Sequence, residues 1–502
     1  MEDKSDQFKA DVDQMPTKKQ IYWDIIKVGV PAICGSISFG LVEAMNLIFM
    51  GQFNDPALVS GVGIGNVFIS VFGIIILCGF NSALATLVSQ SYGQKDMKLC
   101  GTYLNRGRVI ILISYLPVLF IMLNAKNFFE LTGVNQETSE QAQLYIYYML
   151  PALAIQAQFD IMRIFMNSFG KTYASMYVQG TTTIIHYFSS YYFIIYLDMK
   201  LKGTAYSNTL TALLNLIGML IIAYREQEIR EAFFWPDKSS FQGLYDYMRF
   251  ALPSMLMWAL ESWTFSIQTL MISTVSVEMA AAQSIIHNIL LLYFMFTIGL
   301  IYASAALIGK FIGAGEVQKA KEYLKCLTYV GFGMGFLQCA SLLWFGGEIC
   351  QIFTELKSIV DIVKSVQVLL AFVVFFDCSQ GWLCGVIRGL GIVNKALIGQ
   401  IVVYYFICIP LQAYLLYNLK WGIHSIWSGM LIALMLIMFY YQYLIYFQSD
   451  WFKISKESQE RQQKEKSRQQ QSDVVTDDQL AKALLKEKLL IDNQENKKQI
   501  SN

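Results

Sequence analysis

The chain has 502 residues, of which 55% are hydrophobic, 14% aromatic and only 15% charged, and its mean hydropathy is +0.43. Soluble domains carry about 25% charged residues, so the charge here cannot cover the three or four soluble domains this length would otherwise make. A net charge of +1 leaves no basic excess to neutralise phosphates, which excludes nucleic acid as the expected partner.

The remaining class is an all-α polytopic membrane protein with the lipid bilayer as its solvent. A spanning helix needs about 20 apolar residues. Residues 1–20 are charged and the apolar material starts near Ile21, so a cytoplasmic segment rather than a cleavable signal peptide is expected there. Intervals poor in charge then follow in order. Six lie between Lys27 and Asp55, Asp55 and Lys95, Arg108 and Lys126, Glu140 and Arg163, Lys171 and Asp198, and Lys202 and Arg225. A polar stretch broken by Trp235-Pro236-Asp237 separates them from six more: Arg249 to Glu278, Glu278 to Lys310, Lys325 to Glu348, Lys364 to Arg388, Lys395 to Lys420, and Lys420 to Asp450. The spacing predicts twelve helices, with an N-lobe over 21–225, a linker over 226–245 and a C-lobe over 246–450. The Gln-, Lys- and Glu-rich tail, 451–502, is expected to be cytoplasmic and largely disordered. Its Leu480, Leu484, Leu485, Leu489 and Leu490 recur at helical spacing and suit a solvated marginal helix, with a partner- or membrane-surface helix as the alternative.

Lysines and arginines mark the sides. Nineteen, from Lys18 to Lys395, fall on one side of this layout and six, Lys126, Lys200, Lys202, Lys357, Lys364 and Lys420, on the other. Both termini are therefore expected in the cytoplasm.

The chain also repeats itself. Pro31, read as opening the first helix, is matched by Pro253, read as opening the seventh. Gly93 is matched in the same way by Gly313, and Gly170 by Gly391, and the three separations agree almost to the residue. Three landmarks at one offset indicate a duplicated six-helix unit. Six is even, so both copies share an orientation and are expected to be related by a pseudo-two-fold axis along the membrane normal, as in transporters built from parallel repeats.

An ionised carboxylate at mid-bilayer costs at least ~2.5 kcal/mol, so acids inside helices are functional candidates. Glu261 lies twelve residues after Arg249, about 18 Å along its helix, and Asp377 eleven residues before Arg388, about 16 Å from the same face. The two acids thus share a depth in the C-lobe, where they can load and release a proton. Glu43, about 24 Å up the first helix, is expected near the outer interface, solvated. Asp160 and Arg163, three apart, read as a structural ion pair. Of the three histidines, His287 alone lies well inside a helix, beside Asn288, and is a candidate for a polar cavity wall. Trp258, Tyr293, Phe376 and Trp382 are candidate flat walls for cationic or aromatic ligands. The nine cysteines are scattered, form no C-x-x-C pair, and read as small buried hydrophobes. No phosphate loop, G-x-S-x-G, H-E-x-x-H or dinucleotide fingerprint is present; no enzyme activity, metal or cofactor is expected.

The stretches SALATLVSQSYGQKDMKLCGTYLNR (82–106), ALESW (259–263), IGKFIGAGEVQKAKEYL (308–324) and DCSQGWLCGVIRGLGIVNKALIGQ (377–400) carry a resemblance to the eukaryotic multidrug and toxic compound extrusion (MATE) transporters, running from about Val28 to Phe447. The resemblance implies two six-helix bundles around a V-shaped cavity, and exchange of protons or sodium for organic cations, drugs or metabolites. By position, Glu261 matches the glutamate that eukaryotic members use in coupling and Asp377 the acid before the R-G-x-G turn. The chain departs from the family elsewhere. Asn46 stands where many bacterial relatives have an aspartate, Ala85 where members commonly have an acid, and Ser266 and Asn288 where some animal members have acids. The cavity is correspondingly less acidic.

The expectation is a monomeric secondary antiporter of the plasma membrane or a vacuolar or vesicular membrane. It would export small organic solutes by alternating access in exchange for protons at Glu261 and Asp377. Sodium coupling, a lipid-linked oligosaccharide flippase, and a channel or receptor-like protein are the competing readings.

Overall fold

The structure, a computed structural model, describes residues 15–53, 56–354 and 356–469. Among them there is no strand. Twelve long helical segments follow one another: α1 Lys18–Met50, α2 Ser60–Gly93, α3 Met97–Leu123, α4 Gln136–Ser168, α5 Tyr173–Ser190, α6 Lys200–Arg225, α7 Leu244–Ser273, α8 Val277–Ala314, α9 Val317–Phe353, α10 Lys357–Leu390, α11 Val393–Asn418 and α12 Ile423–Gln448. Nine are long and apolar enough to cross a membrane. The others, α4, α5 and α7, carry more polar residues, among them Asp160, His186 and Glu261.

The landmarks of the repeat do equivalent work in both halves. Gly170 and Gly391 end α4 and α10 with φ of +74° and +78°, a left-handed conformation that costs glycine nothing and a side chain much. Gly93 and Gly313 let backbones touch: a Cβ on Gly93 would strike the carbonyl of Lys310, and one on Gly313 the carbonyl of Gln90. Residues 90 and 93 thus meet 313 and 310 reciprocally, as a two-fold axis between the lobes requires.

Pro31 and Pro253 do not open their helices; they lie inside α1 and α7. Each removes a backbone hydrogen bond and permits a bend, and each marks an exchange between lobes. Ile21 and Ile25, before Pro31, pack into the C-lobe core. Tyr247 and Ala251, before Pro253, pack into the N-lobe core. The lobe boundaries drawn from composition follow the chain path, and the packing of these first turns crosses them.

Hydrogen bonds between the lobes' helices cluster toward the end where α1 begins. There Thr86 donates to the Arg388 carbonyl at 2.6 Å and Gln90 Nε2 to the Gly389 carbonyl at 2.8 Å. At the same end, residues 451–469 form a thirteenth helix, α13. The tail expected to be largely disordered is helical over this part; 470–502, with the spaced leucines, lie outside the described residues.

Candidate functional site

The C-lobe interior is assembled on α7, α10 and α11. Asp377, Gln380, Cys384 and Arg388 follow at steps of three and four along α10, so one face of the helix carries them all. Trp258 and Glu261, three apart on α7, face that stripe. Glu261 is half-buried, and Asp377, Arg388, Gln380 and Tyr404 of α11 are the groups that act on it electrostatically or at hydrogen-bonding range. Arg388 is 5% exposed and lays its guanidinium 5.4 Å from the Trp258 ring centroid. Two donors around the acids, the Trp258 indole N–H and Arg388 Nε, are buried and form no hydrogen bond within the protein. Two carboxylates and one guanidinium share this interior, with Arg388 acting on Glu261, so the group is one positive charge short when both acids are ionised. Such a cluster can hold and exchange a cation; it contains no activated nucleophile. No group of metal-ligating side chains occurs among the described residues.

The structure brings Glu261, Asp377 and Trp258 together and leaves the other expected wall residues apart. Trp382 is fully buried in the C-lobe core, against Gly331 and 5.9 Å from Phe332. Tyr293 is buried, with its hydroxyl 2.9 Å from Ser341 Oγ. His287 is half-buried beside Phe265, ring to ring 5.5 Å, and Asn288 is exposed. Gln380 and Tyr404 are not among the residues expected from sequence; the step of three from Asp377 to Gln380 is the signal that points to the first.

The N-lobe interior is polar and nearly neutral. His186 of α5 is fully buried, with Nδ1 2.8 Å from Thr211 Oγ1 and Nε2 3.1 Å from Asn46 Oδ1. Asn46 donates to Asn208 Oδ1 at 3.2 Å, and Ser190 and Ser207 pair at 2.6 Å. Glu43, expected to be solvated near the outer interface, instead accepts from Asn66 Nδ2 at 3.0 Å and lines a half-open cavity with Phe39, Gln156, Gln179 and Asn215. Amides line the inside of this lobe and draw the carboxylate to them. Asp160 and Arg163 form the expected ion pair, with Nε to Oδ1 2.9 Å. The described cysteines are all unpaired and mostly buried, as read.

The MatE family model matches the chain twice, over residues 31–192 and 253–414, two segments of equal length whose starts are the two landmark prolines. The chain is 27% identical over 440 residues to multidrug and toxin extrusion protein 1 of Danio rerio, covering 87% of this chain and 73% of that protein. It is 25% identical over 413 residues to Protein DETOXIFICATION 49 of Arabidopsis thaliana, covering 82% of each. The solved eukaryotic MATE transporter AtDTX14 superposes with a TM-score of 0.83 at 20% identity, over 88% of this chain and 99% of that one, which is agreement of fold. With the family model matched in both halves and the duplicated twelve-helix architecture in place, the chain belongs to the MatE family of multidrug and toxin extrusion transporters, integral membrane carriers and not enzymes.

Proposed function

We propose that the protein is a secondary antiporter that exports small organic solutes, organic cations among them, in exchange for protons held between Glu261 and Asp377. The observation that carries this reading is the charge balance of the C-lobe cluster: two carboxylates against Arg388 alone, leaving room for one exchangeable cation. A proton suits carboxylates whose other neighbours are an amide and a phenol rather than the several oxygen ligands a metal cation takes. The relatives are named for extrusion of drugs and toxins, which supports an organic solute as cargo.

The coupling is read through α10. The helix that bears Asp377 ends at Arg388 and Gly389, whose carbonyls accept from Thr86 and Gln90 of the N-lobe. A change of charge at Asp377 therefore acts on the helix that helps to hold the lobes closed at the end of the termini. Cation binding favours one lobe arrangement and cargo the other, which is all that alternating access requires. One proton moved down about one pH unit and about 100 mV supplies some 3.7 kcal/mol, enough for about 500-fold accumulation of a neutral solute. The excess of lysine and arginine near the termini supports a cytoplasmic placement of that end.

The test is uptake of a fluorescent organic cation into proteoliposomes under an imposed pH gradient, with and without sodium. Gradient-driven flux is expected in the parent and lost in Glu261→Gln and Asp377→Asn, indifferent to sodium. Flux that follows sodium instead replaces the coupling ion, and flux unaffected by both substitutions removes the site.

A further inference from the structure

Helix α13 lies across the seam between the lobes. Its buried face is Trp451, Ser455, Ser458, Gln462, Glu465 and Gln469, one position every three or four residues and polar at each step after the tryptophan. It grips the C-lobe through Ser455 Oγ to the Ile312 carbonyl at 2.7 Å, while Arg468 reaches Asp246 at 2.6 Å on the first turn of α7, which packs into the N-lobe core. It grips the N-lobe through Ser458 Oγ to Gln90 Oε1 at 2.8 Å, Gln469 Nε2 to Thr102 Oγ1 at 2.8 Å, and an ion pair of Glu465 with Arg106 at 2.7 Å. The side chains of that pair are 3% and 1% exposed.

We propose that α13 is a latch: it holds the lobes together at the end of the termini, and it lets go of the N-lobe each time that end opens. The inference rests on alternating access and is independent of the coupling ion. The helix follows α12 after two residues, and the Trp451 indole donates to the Ile445 carbonyl at 3.0 Å, so α13 travels with the C-lobe. Opening that end separates Gly93 and Gln90 from Lys310 and Gly313, and the bonds from α13 to Gln90, Thr102 and Arg106 must break with them.

The chemistry of the buried face suits release. An apolar face would lose stability in proportion to the area it exposed. A face of serine, glutamine and glutamate exchanges its hydrogen bonds for bonds to water at small net cost. Gln90 is the node where this grip and the direct contact of the lobes meet. Its Nε2 binds the Gly389 carbonyl while its Oε1 accepts from Ser458 and Arg461 of α13. Arg106 is the firmest hold. Apart from Glu465, Arg106 donates to the Ser239 carbonyl, and its second terminal nitrogen has no hydrogen-bond partner.

The test uses the full chain in proteoliposomes and reads opening directly, without cargo. Thr86→Cys places a thiol at the closed seam, where Thr86 has no exposure. Its rate of alkylation by a membrane-impermeant maleimide, less the background of the Thr86 parent, reports opening. Adding Glu465→Gln is expected to speed labelling roughly tenfold, the scale of one charged hydrogen bond, and Ser458→Ala by a smaller factor in the same direction. Should Glu465→Gln not fold, Ser458→Ala carries the test alone. Labelling unchanged or slowed in the folded variants overturns the latch. Faster labelling in a protein that carries out no gradient-driven flux sustains the latch and removes the antiport reading, so the two fail separately.

Discussion

Glu261 of the C-lobe stands to Phe39 of the N-lobe as Pro253 stands to Pro31, at the same offset along the chain. Asp377 and Arg388 likewise stand to Gln156 and Asn167 as Gly391 stands to Gly170. One fold, used twice, thus places two acids and an arginine in one copy and a ring and two amides at the same positions of the other. Phe39 and Gln156 line the N-lobe cavity, and Asn167 accepts a hydrogen bond from Ser175 at 3.2 Å. Around them His186, Asn46, Asn208, Thr211, Ser190 and Ser207 of the N-lobe bond to one another, whereas the C-lobe leaves Trp258 and Arg388 with unpaired donors beside its acids. A buried network whose groups satisfy each other is a framework. A charged cluster with free donors can be completed by something outside the chain, which is what the proposed site requires.

The sharpest way to break this comparison is to neutralise one acid in each lobe. Glu261→Gln is expected to lower gradient-driven flux about 100-fold or to background, as befits a charge placed at cost inside the bilayer. Glu43→Gln keeps an acceptor for Asn66 and is expected to change flux by less than about threefold. Equal losses in the two variants would mean that the N-lobe acid shares the coupling. Next in size, His186→Leu removes the partner that Asn46 and Thr211 share and should destabilise the protein by about 1–3 kcal/mol, read as melting of the detergent-purified carrier. Coupled flux per folded molecule should hold. Trp258→Leu removes the ring beneath Arg388, a contact worth about 0.5–2 kcal/mol, and is expected to cost coupled flux a few-fold to about thirtyfold with sodium indifference unchanged.

Much of this is legible in the sequence, and the reasons are particular. A long helix in lipid must exclude charge, so the intervals between Lys, Arg, Asp and Glu outline the helices, and Glu261 and Asp377 stand out against that rule. The wall aromatics are less legible because rings occur on every helix. Helical rotation of about 100° per residue sorts them only once the fold is known. Trp258 is three residues from Glu261 and shares its face, while Trp382 is five from Asp377, about 140° around, and faces the core. Arg388 enters from sequence as the end of a helix and the mark of a turn, since its partnership with Glu261 depends on how α7 lies against α10. The crossing of Ile21 and Tyr247 into opposite cores is invisible in composition, because apolar residues suit either core. The buried stripe of α13 hides for the opposite reason: Ser455, Ser458, Gln462, Glu465 and Gln469 look like a solvated surface.

The smallest expected effect concerns where the N-lobe keeps its charge. At the turn after α4, Lys171 binds Glu226 at 2.6 Å and Glu228 at 3.0 Å. The matching turn of the C-lobe has Ile392 in the place of that lysine, and packs Gly391 against Thr86, Gln90 and Phe250 without an ion pair. The hydrogen bond from Lys171, with a second from Tyr173, holds the Glu226 carboxyl below its ordinary value of 4.5; that from Tyr92, with Lys171 adding to it, does the same for Glu228. A lowered carboxyl contributes stability that is present in full above 4.5 and is lost as the pH falls through its folded value. Melting of the parent should therefore fall between pH 5 and pH 3, and Lys171→Met should flatten that fall. For a pair this near the surface the difference is at most about 1 kcal/mol, and high salt should shrink it further. Identical acid slopes would show that the turn does not depend on its ion pair, just as the C-lobe turn holds without one. A shallower slope would place the N-lobe's working charges at its end, and leave the C-lobe as the half that carries them in its middle.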